Sequence, residues 1–215
     1  MDARDELKRY LAGKSILIVG GGPGASYRQS SWYGKFDVIV RCNNYRKACE
    51  ARTDIFVSYL GENIKKTKDE LISDGVQFVV CNCPNVDMTQ NLKLSQGQRK
   101  DFSWIYEFRK GWWFCPAVSL TKEELIAQVD LIGGHMPTVG LSAILFFQQF
   151  RSPVDIIGFD CFESGLHDLN RKWDRSGRHN AQKEKRLLIE LENNGRIVWH
   201  AKGKLALAEG TNHGR

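Results

Sequence analysis

Short apolar, β-branched runs recur along this chain with polar or helix-forming stretches between them, and this alternation restricts its fold more than any other feature. The runs predict strands near residues 15–19, 37–41, 54–58, 76–81, 154–158 and 196–199. The remaining periodic stretches predict helices near residues 2–11, 65–73, 122–131, 141–149 and 181–193. Such alternation predicts an α/β, Rossmann-like fold, in which a largely parallel sheet with flanking helices carries functional groups at the carboxyl ends of its strands.

The length of the chain is enough for one large domain with its own core, so residues 1–215 are predicted to form a single domain. The segment 84–116 fits neither the strand nor the helix pattern, because it is polar at first and then rich in aromatic side chains. It is either a lid or acceptor loop over a site, or a satellite cluster packed against the sheet. Glycines predict a loose tail over residues 203–215.

Composition and cysteine usage are those of an ordinary cytoplasmic protein. Charged residues make up 26% of the chain, and no apolar run is long enough for a transmembrane segment or a signal peptide. The six cysteines are scattered without the paired spacing of a zinc site, which favours reduced thiols. The net charge of +6 favours an anionic ligand, a nucleic acid or peripheral contact with an anionic membrane surface.

A glycine-rich turn follows the first predicted strand. Gly20, Gly22 and Ala25 satisfy the dinucleotide pattern G-x-G-x-x-A, in which backbone N–H groups approach a phosphate. The next predicted strand ends in Arg41 instead of an acidic residue, as an NADP site prefers, so an NADP-dependent oxidoreductase is one interpretation. Pro23 inside the turn counts against it.

Other polar residues lie at the ends of predicted elements. His179 is followed by Glu184 on a predicted helix, and a carboxylate near an imidazole raises its basicity, as a general base requires. Considered by themselves, the same residues are better explained by a helix cap with a surface ion pair. Thr138 precedes an apolar helix, where it can cap the helix or hold an anion or ribose, and Asp160 ends a buried strand as a site edge or turn cap. No Asp-x-Asp pair is present, so no metal ligand is assigned.

Four motifs in this order resemble those of the sialyltransferases, in glycosyltransferase families 29 and 42. They are the glycine turn at 16–24, the Val-Ile-Val-Arg-Cys-Asn segment at 38–43, the paired segments 137–140 and 158–160, and the His-x-x-x-x-Glu motif at His179 and Glu184. Together they extend over nearly the whole chain. Gly21 and Gly24 stand where the family carries Asn and Ser.

The resemblance implies a sialyltransferase-like fold, a variant of the GT-A type, and an inverting, metal-independent glycosyltransferase. The implied donor is a CMP-linked sialic acid or related acidic sugar, a co-substrate with no further cofactor. His179 would be the catalytic base, and Glu184 would orient the helix or the imidazole. The donor would contact Gly21, Gly22, Gly24, Asn43, Thr138, Gly140, Gly158 and Asp160. The leaving phosphate would be balanced by His167, Arg171 and Lys172.

The acceptor stays open. A glycan or a lipid-linked glycan fits the resemblance. A phage-type enzyme that glycosylates hydroxymethylated bases in DNA fits the basic charge, and its aromatic segment 102–114 would stack a flipped base. A non-catalytic module that binds a nucleotide or glycan without turnover is a further alternative, beside the NADP-dependent oxidoreductase.

Overall fold

A computed structural model describes most of the chain. The described residues are 2–22, 24–25, 30–43, 45, 52–59, 66–84, 114–161 and 179–200. The predicted phosphate-balancing residues His167, Arg171 and Lys172 lie outside them, as do the tail 203–215 and nearly all of the segment 84–116.

The described residues form one seven-stranded sheet, in which every neighbouring pair is parallel. Its strands are β1 (Ile16–Val19), β2 (Val38–Cys42), β3 (Ile55–Ser58), β4 (Phe78–Cys81), β5 (Ala117–Ser119), β6 (Val154–Ile157) and β7 (Ile197–Trp199). Their order across the sheet is β5-β4-β3-β2-β1-β6-β7. The predicted α/β fold with a parallel sheet is therefore confirmed.

Helices flank the sheet, and threonine or asparagine caps explain where several of them begin. They are α1 (Ala3–Leu11), α2 (Ser30–Tyr33), α3 (Lys68–Ser73), α4 (Lys122–Leu131), α5 (Val139–Phe147) and α6 (Ala181–Asn193). Thr67 and Thr121 form capping boxes with the glutamates three residues later. Thr138 and Asn180 cap α5 and α6 by accepting a hydrogen bond from a first-turn N–H.

The strand order has one reversal, and it lies at β1. From β1 the chain adds β2, β3, β4 and β5 on one side, and it then crosses to add β6 and β7 on the other. In open parallel sheets, the crevice beyond the carboxyl ends of the strands at such a reversal is the usual ligand site. The residues that follow β1 and β6 therefore mark the candidate site.

Both faces of the sheet are covered, which explains why the strands are continuous apolar runs instead of alternating ones. On one face, α1, α5 and α6 pack against the inward side chains of the strands, with Leu7, Ile144 and Leu188 among the buried contacts. On the other face, two smaller clusters form around Phe56 with Leu125 and around Tyr33 with Ile157. The core thus holds the carboxyl ends of the strands in fixed positions relative to α5 and α6.

Candidate functional site

The turns that follow β1 and β6 are in direct backbone contact. The N–H of Gly20 donates to the carbonyl of Ile157 at 2.8 Å, and the N–H of Gly22 donates to that of Gly158 at 2.8 Å. A Cβ on Gly22 would lie 2.7 Å from the Gly158 carbonyl oxygen, so a larger residue requires the two turns to move apart. Gly22 is thus needed for the close approach of the two turns. Its N–H, which the resemblance predicts to contact the donor, donates to the Gly158 carbonyl instead.

The ring of Phe159 joins these turns to the beginning of α5. A Cβ on Gly140 would lie 2.7 Å from Cε1 of Phe159, and one on Gly20 would lie 3.1 Å from Cε2. Asp160 Oδ1 lies 3.1 Å from the Cβ position of Gly22. The fold therefore brings together three predicted donor-binding residues, Gly22, Gly140 and Asp160. Phe159 lies between them, and the sequence did not predict it as a site residue.

Asn43 lies at the carboxyl end of β2, where the backbone turns into the left-handed region with φ of 53°. Asparagine tolerates this conformation better than most residues. Its Oδ1 accepts a hydrogen bond from Ser58 Oγ at 3.1 Å, and its N–H donates to the carbonyl of Val57 at 2.9 Å. Asn43 is thereby held against the end of β3, on the β2 side of the crevice.

Arg41 is buried, with 3% of its surface exposed. Its guanidinium carbon lies 5.9 Å from the ring centroid of Tyr33 and 5.4 Å from that of Tyr45. An arginine that reads a ribose phosphate has to present its charge at the surface of the crevice. Arg41 is instead buried within cation–π distance of two tyrosine rings, which does not favour the NADP interpretation.

A buried carboxylate joins the beginnings of α5 and α6. Glu184 Oε1 accepts from the Thr138 N–H at 2.8 Å, and Oε2 accepts from Thr138 Oγ1 at 2.7 Å. Glu184 is 4% exposed, and because burial disfavours the charged form, its pKa is raised to about 7, although the two hydrogen bonds from Thr138 act in the opposite direction. The N–H and the hydroxyl of Thr138, which the resemblance predicts to face the donor, thus both donate to Glu184.

The imidazole of His179 is held by the loop that precedes α5. Its Nδ1 lies 2.8 Å from the carbonyl oxygen of Met136. Because a carbonyl only accepts hydrogen bonds, Nδ1 carries the hydrogen and Nε2 is the unprotonated nitrogen of the neutral ring. His179 is partly buried, one residue before the Asn180 cap of α6. The contact therefore orients the ring and assigns its hydrogen to Nδ1.

These contacts place the predicted catalytic pair and most of the predicted donor-binding residues in one connected region. Met136 and Thr138, which contact His179 and Glu184, are separated by one residue, and α5 leads from Thr138 to Gly140 beside Phe159. Gly21 and Gly24 lie in the turn after β1. Among the described residues, no group of three or more His, Cys, Asp or Glu side chains could hold a metal ion, and no helix is long and apolar enough to cross a bilayer.

The parallel sheet, its reversal at β1 and its flanking helices define a sialyltransferase-like fold. A crystal structure of a mammalian sialyltransferase superposes with a TM-score of 0.59 at 16% identity, covering 91% of this chain and 71% of that chain. A mammalian sialyltransferase solved in complex with Gal-beta-1-3GalNAc-ortho-nitrophenol gives a TM-score of 0.58 at 15% identity, covering 91% and 72%. No protein-family model and no curated protein sequence matches the chain.

Proposed function

We propose that this protein is an inverting, metal-independent glycosyltransferase that moves an acidic sugar from a CMP-linked donor to a hydroxyl group of a glycan. The sialyltransferase-like fold supports the reaction class. The observation that carries the proposal is the contact of His179 Nδ1 with the Met136 carbonyl, because it leaves Nε2 as the basic nitrogen at a site edge.

In the proposed reaction, Nε2 of His179 takes the proton of the acceptor hydroxyl. The acceptor oxygen forms a bond to the anomeric carbon of the sugar while the bond from that carbon to the phosphate oxygen breaks. The bonding electron pair leaves with CMP on the opposite face, so the configuration at the anomeric carbon inverts. General-base help of this kind contributes a factor of about 10² to 10⁴, beyond the rate gained from proximity.

The nucleotide would lie in the crevice between the turns after β1 and β6. Asn43 and Asp160 would contact the base and ribose from its two sides, and the turn that contains Gly21 and Gly24 would approach the phosphate. Glu184 would act as a positioning residue, because its hydrogen bonds to Thr138 hold the loop whose Met136 carbonyl orients His179. His167, Arg171 and Lys172 would balance the charge of the leaving phosphate.

A glycan acceptor is favoured because one of the similar structures holds a Gal-GalNAc derivative. The sequence contains no Asp-x-Asp pair to clamp a metal on a diphosphate, which supports both a monophosphate leaving group and metal independence. The net charge of +6 suits the anionic donor and is compatible with a glycan presented on an anionic surface.

A thermal-shift comparison of CMP, UDP, GDP and NADP tests the proposal. A nucleotide that binds the folded state raises the melting temperature by mass action, so CMP is expected to give the largest rise. Transfer of sugar from CMP-N-acetylneuraminic acid to a galactoside is expected to continue unchanged in EDTA. A response to NADP alone contradicts the nucleotide assignment, and a strict requirement for Mg²⁺ or Mn²⁺ contradicts the metal-free reaction.

A further inference from the structure

A buried amide lies at the carboxyl end of β4, outside the predicted site. Asn82 is 3% exposed, and within the part of the chain that the structure describes its Oδ1 has no hydrogen-bond partner. Leaving a buried acceptor unsatisfied destabilises the folded state. Native proteins contain few such groups, and the ones that persist require an explanation, of which a bound ligand is one.

Asn82 is the last member of a polar row along the site edge of the sheet. Asn43, Ser58 and Asn82 stand at the carboxyl ends of β2, β3 and β4. Hydrogen bonds connect them, since Ser58 Oγ donates to Asn43 Oδ1 and the N–H of Asn82 donates to the carbonyl of Ser58 at 3.1 Å. Three strand spacings separate β4 from β1, so Asn82 lies roughly 14 Å from the proposed nucleotide crevice. That separation is on the scale of a nucleotide sugar.

The loop that holds the proposed base shares a buried cluster with the end of β4. The carbonyl of Met136 holds His179, and the side chain of Met136 packs against the cluster that contains Cys81 and Cys83. These two cysteines flank Asn82 in the sequence. The loop that orients His179 therefore packs against the same buried cluster as the end of β4, and the transferred sugar and the acceptor meet where the base acts.

We propose that the side-chain amide of Asn82 binds a sugar hydroxyl at the reacting end of the substrate and so contributes to sugar specificity. A hydroxyl both donates and accepts, and it is therefore complementary to either end of an amide. Because Asn82 is buried, a sugar that lacks the hydroxyl leaves the amide unpaired. Such sites discriminate strongly against sugars without that hydroxyl. This role rests on the proposed glycosyl transfer.

Asn82→Leu removes both polar atoms at similar volume and tests the role in two measurements. In calorimetric or thermal-shift titrations, the Kd for CMP is expected to change less than about twofold, because CMP lies in the distant crevice. If the hydroxyl belongs to the donor sugar, the Kd for CMP-N-acetylneuraminic acid rises about tenfold, as the loss of one hydrogen bond predicts. If it belongs to the acceptor, that Kd is unchanged and the KM for a galactoside rises about tenfold instead.

The unliganded protein supplies a further readout with a matched control. Asn82→Leu is expected to keep or raise the melting temperature, since it removes an unsatisfied buried acceptor. Gln128→Met is the control, because Gln128 is a buried amide whose Oε1 accepts from Ser142 Oγ at 2.7 Å, and its loss is expected to lower the melting temperature.

Two outcomes overturn the assignment. An Asn82→Leu protein that folds and binds CMP, the CMP-sugar and the acceptor like the wild type shows that Asn82 does not contact a sugar. A wild-type protein that responds to neither CMP nor the CMP-sugar overturns the proposed glycosyl transfer, and the role of Asn82 is lost with it. If the leucine variant fails to fold, Asn82→Ser, which retains a small polar group, is assayed in the same way.

Discussion

The contact between His179 and the Met136 carbonyl determines which ring nitrogen can take a proton. The sequence motif paired His179 with Glu184, which suggested that the carboxylate acts on the imidazole. In the structure the Glu184 carboxylate accepts two hydrogen bonds from Thr138, which lies two residues after Met136, whose carbonyl contacts the ring. At the scale of single residues, His179 is therefore the proposed base, and Glu184 is the group proposed to position it.

Loss of the imidazole is expected to affect turnover more than donor binding. His179→Ala should lower turnover by at least about a hundredfold and leave the Kd for CMP nearly unchanged, as the removal of a general base predicts. His200→Ala is the matched control, because His200 is also partly buried but its Nε2 contacts Asp155 Oδ1 at 2.6 Å. Near-normal turnover of His179→Ala, measured with CMP-N-acetylneuraminic acid, would show that His179 is not the general base.

At the scale of elements, the site depends on the close approach of the turns after β1 and β6. The backbone hydrogen bond from Gly22 to Gly158 extends the pairing of these strands beyond their ends. The glycine pattern resembles a phosphate-binding fingerprint, yet the structure shows that both of its glycines, Gly20 and Gly22, are required for close packing against the Gly158 carbonyl. The two roles are compatible, because the same contact shapes the crevice in which a nucleotide would lie.

Gly22→Ala should separate the two turns. Its Cβ would lie 2.7 Å from the Gly158 carbonyl oxygen, so we expect a loss of unfolding free energy of about 1–3 kcal/mol and weaker CMP binding. Gly34→Ala is the control, since its Cβ would approach nothing closer than 3.4 Å. Denaturant unfolding and CMP titration of both variants provide the measurement. Equal stability of Gly22→Ala and wild type would show that the turns tolerate the added methyl group.

At the scale of the whole molecule, the buried Glu184 couples stability to pH. Its folded pKa of about 7 lies above the ordinary value of 4.5, so the folded state holds the proton more tightly than the unfolded state. The resulting stabilisation is fully present below about pH 4.5 and is lost as the pH rises through about 7. The shift corresponds to at most about 3 kcal/mol.

Glu184→Gln should remove this dependence while keeping hydrogen bonds to Thr138, because a glutamine amide can accept from the N–H and donate to Oγ1. Between about pH 5 and pH 8, the unfolding free energy of the variant should rise relative to wild type. Glu190→Gln, at an exposed position of the same helix, controls for the loss of one negative charge. Parallel pH profiles for Glu184→Gln and wild type would contradict the coupling.

Local patterns in the sequence were enough for most of the secondary structure. The predicted helices at 122–131 and 181–193 match α4 and α6, because Thr121 and Asn180 supply caps that depend only on neighbouring residues. The six predicted strands are present with shifts of one or two residues at some ends. The four-residue α2 and the three-residue β5 were not predicted, since elements this short show no measurable hydrophobic period.

The sequence alone determined the fold class, the starts of α4 and α6 and the candidate base, because these follow from hydrophobic period, caps and a motif that involve near neighbours. Tertiary structure alone decided what the site residues contact. Thr138 and Glu184 are 46 positions apart, and no local pattern could predict their hydrogen bonds or the burial that raises the Glu184 pKa. Asn82 carries no motif, and its significance arises only because the folded sheet buries its amide at the same sheet edge as the proposed site. Burial and long-range hydrogen bonding are properties of the packed chain, and they appear only when distant segments meet.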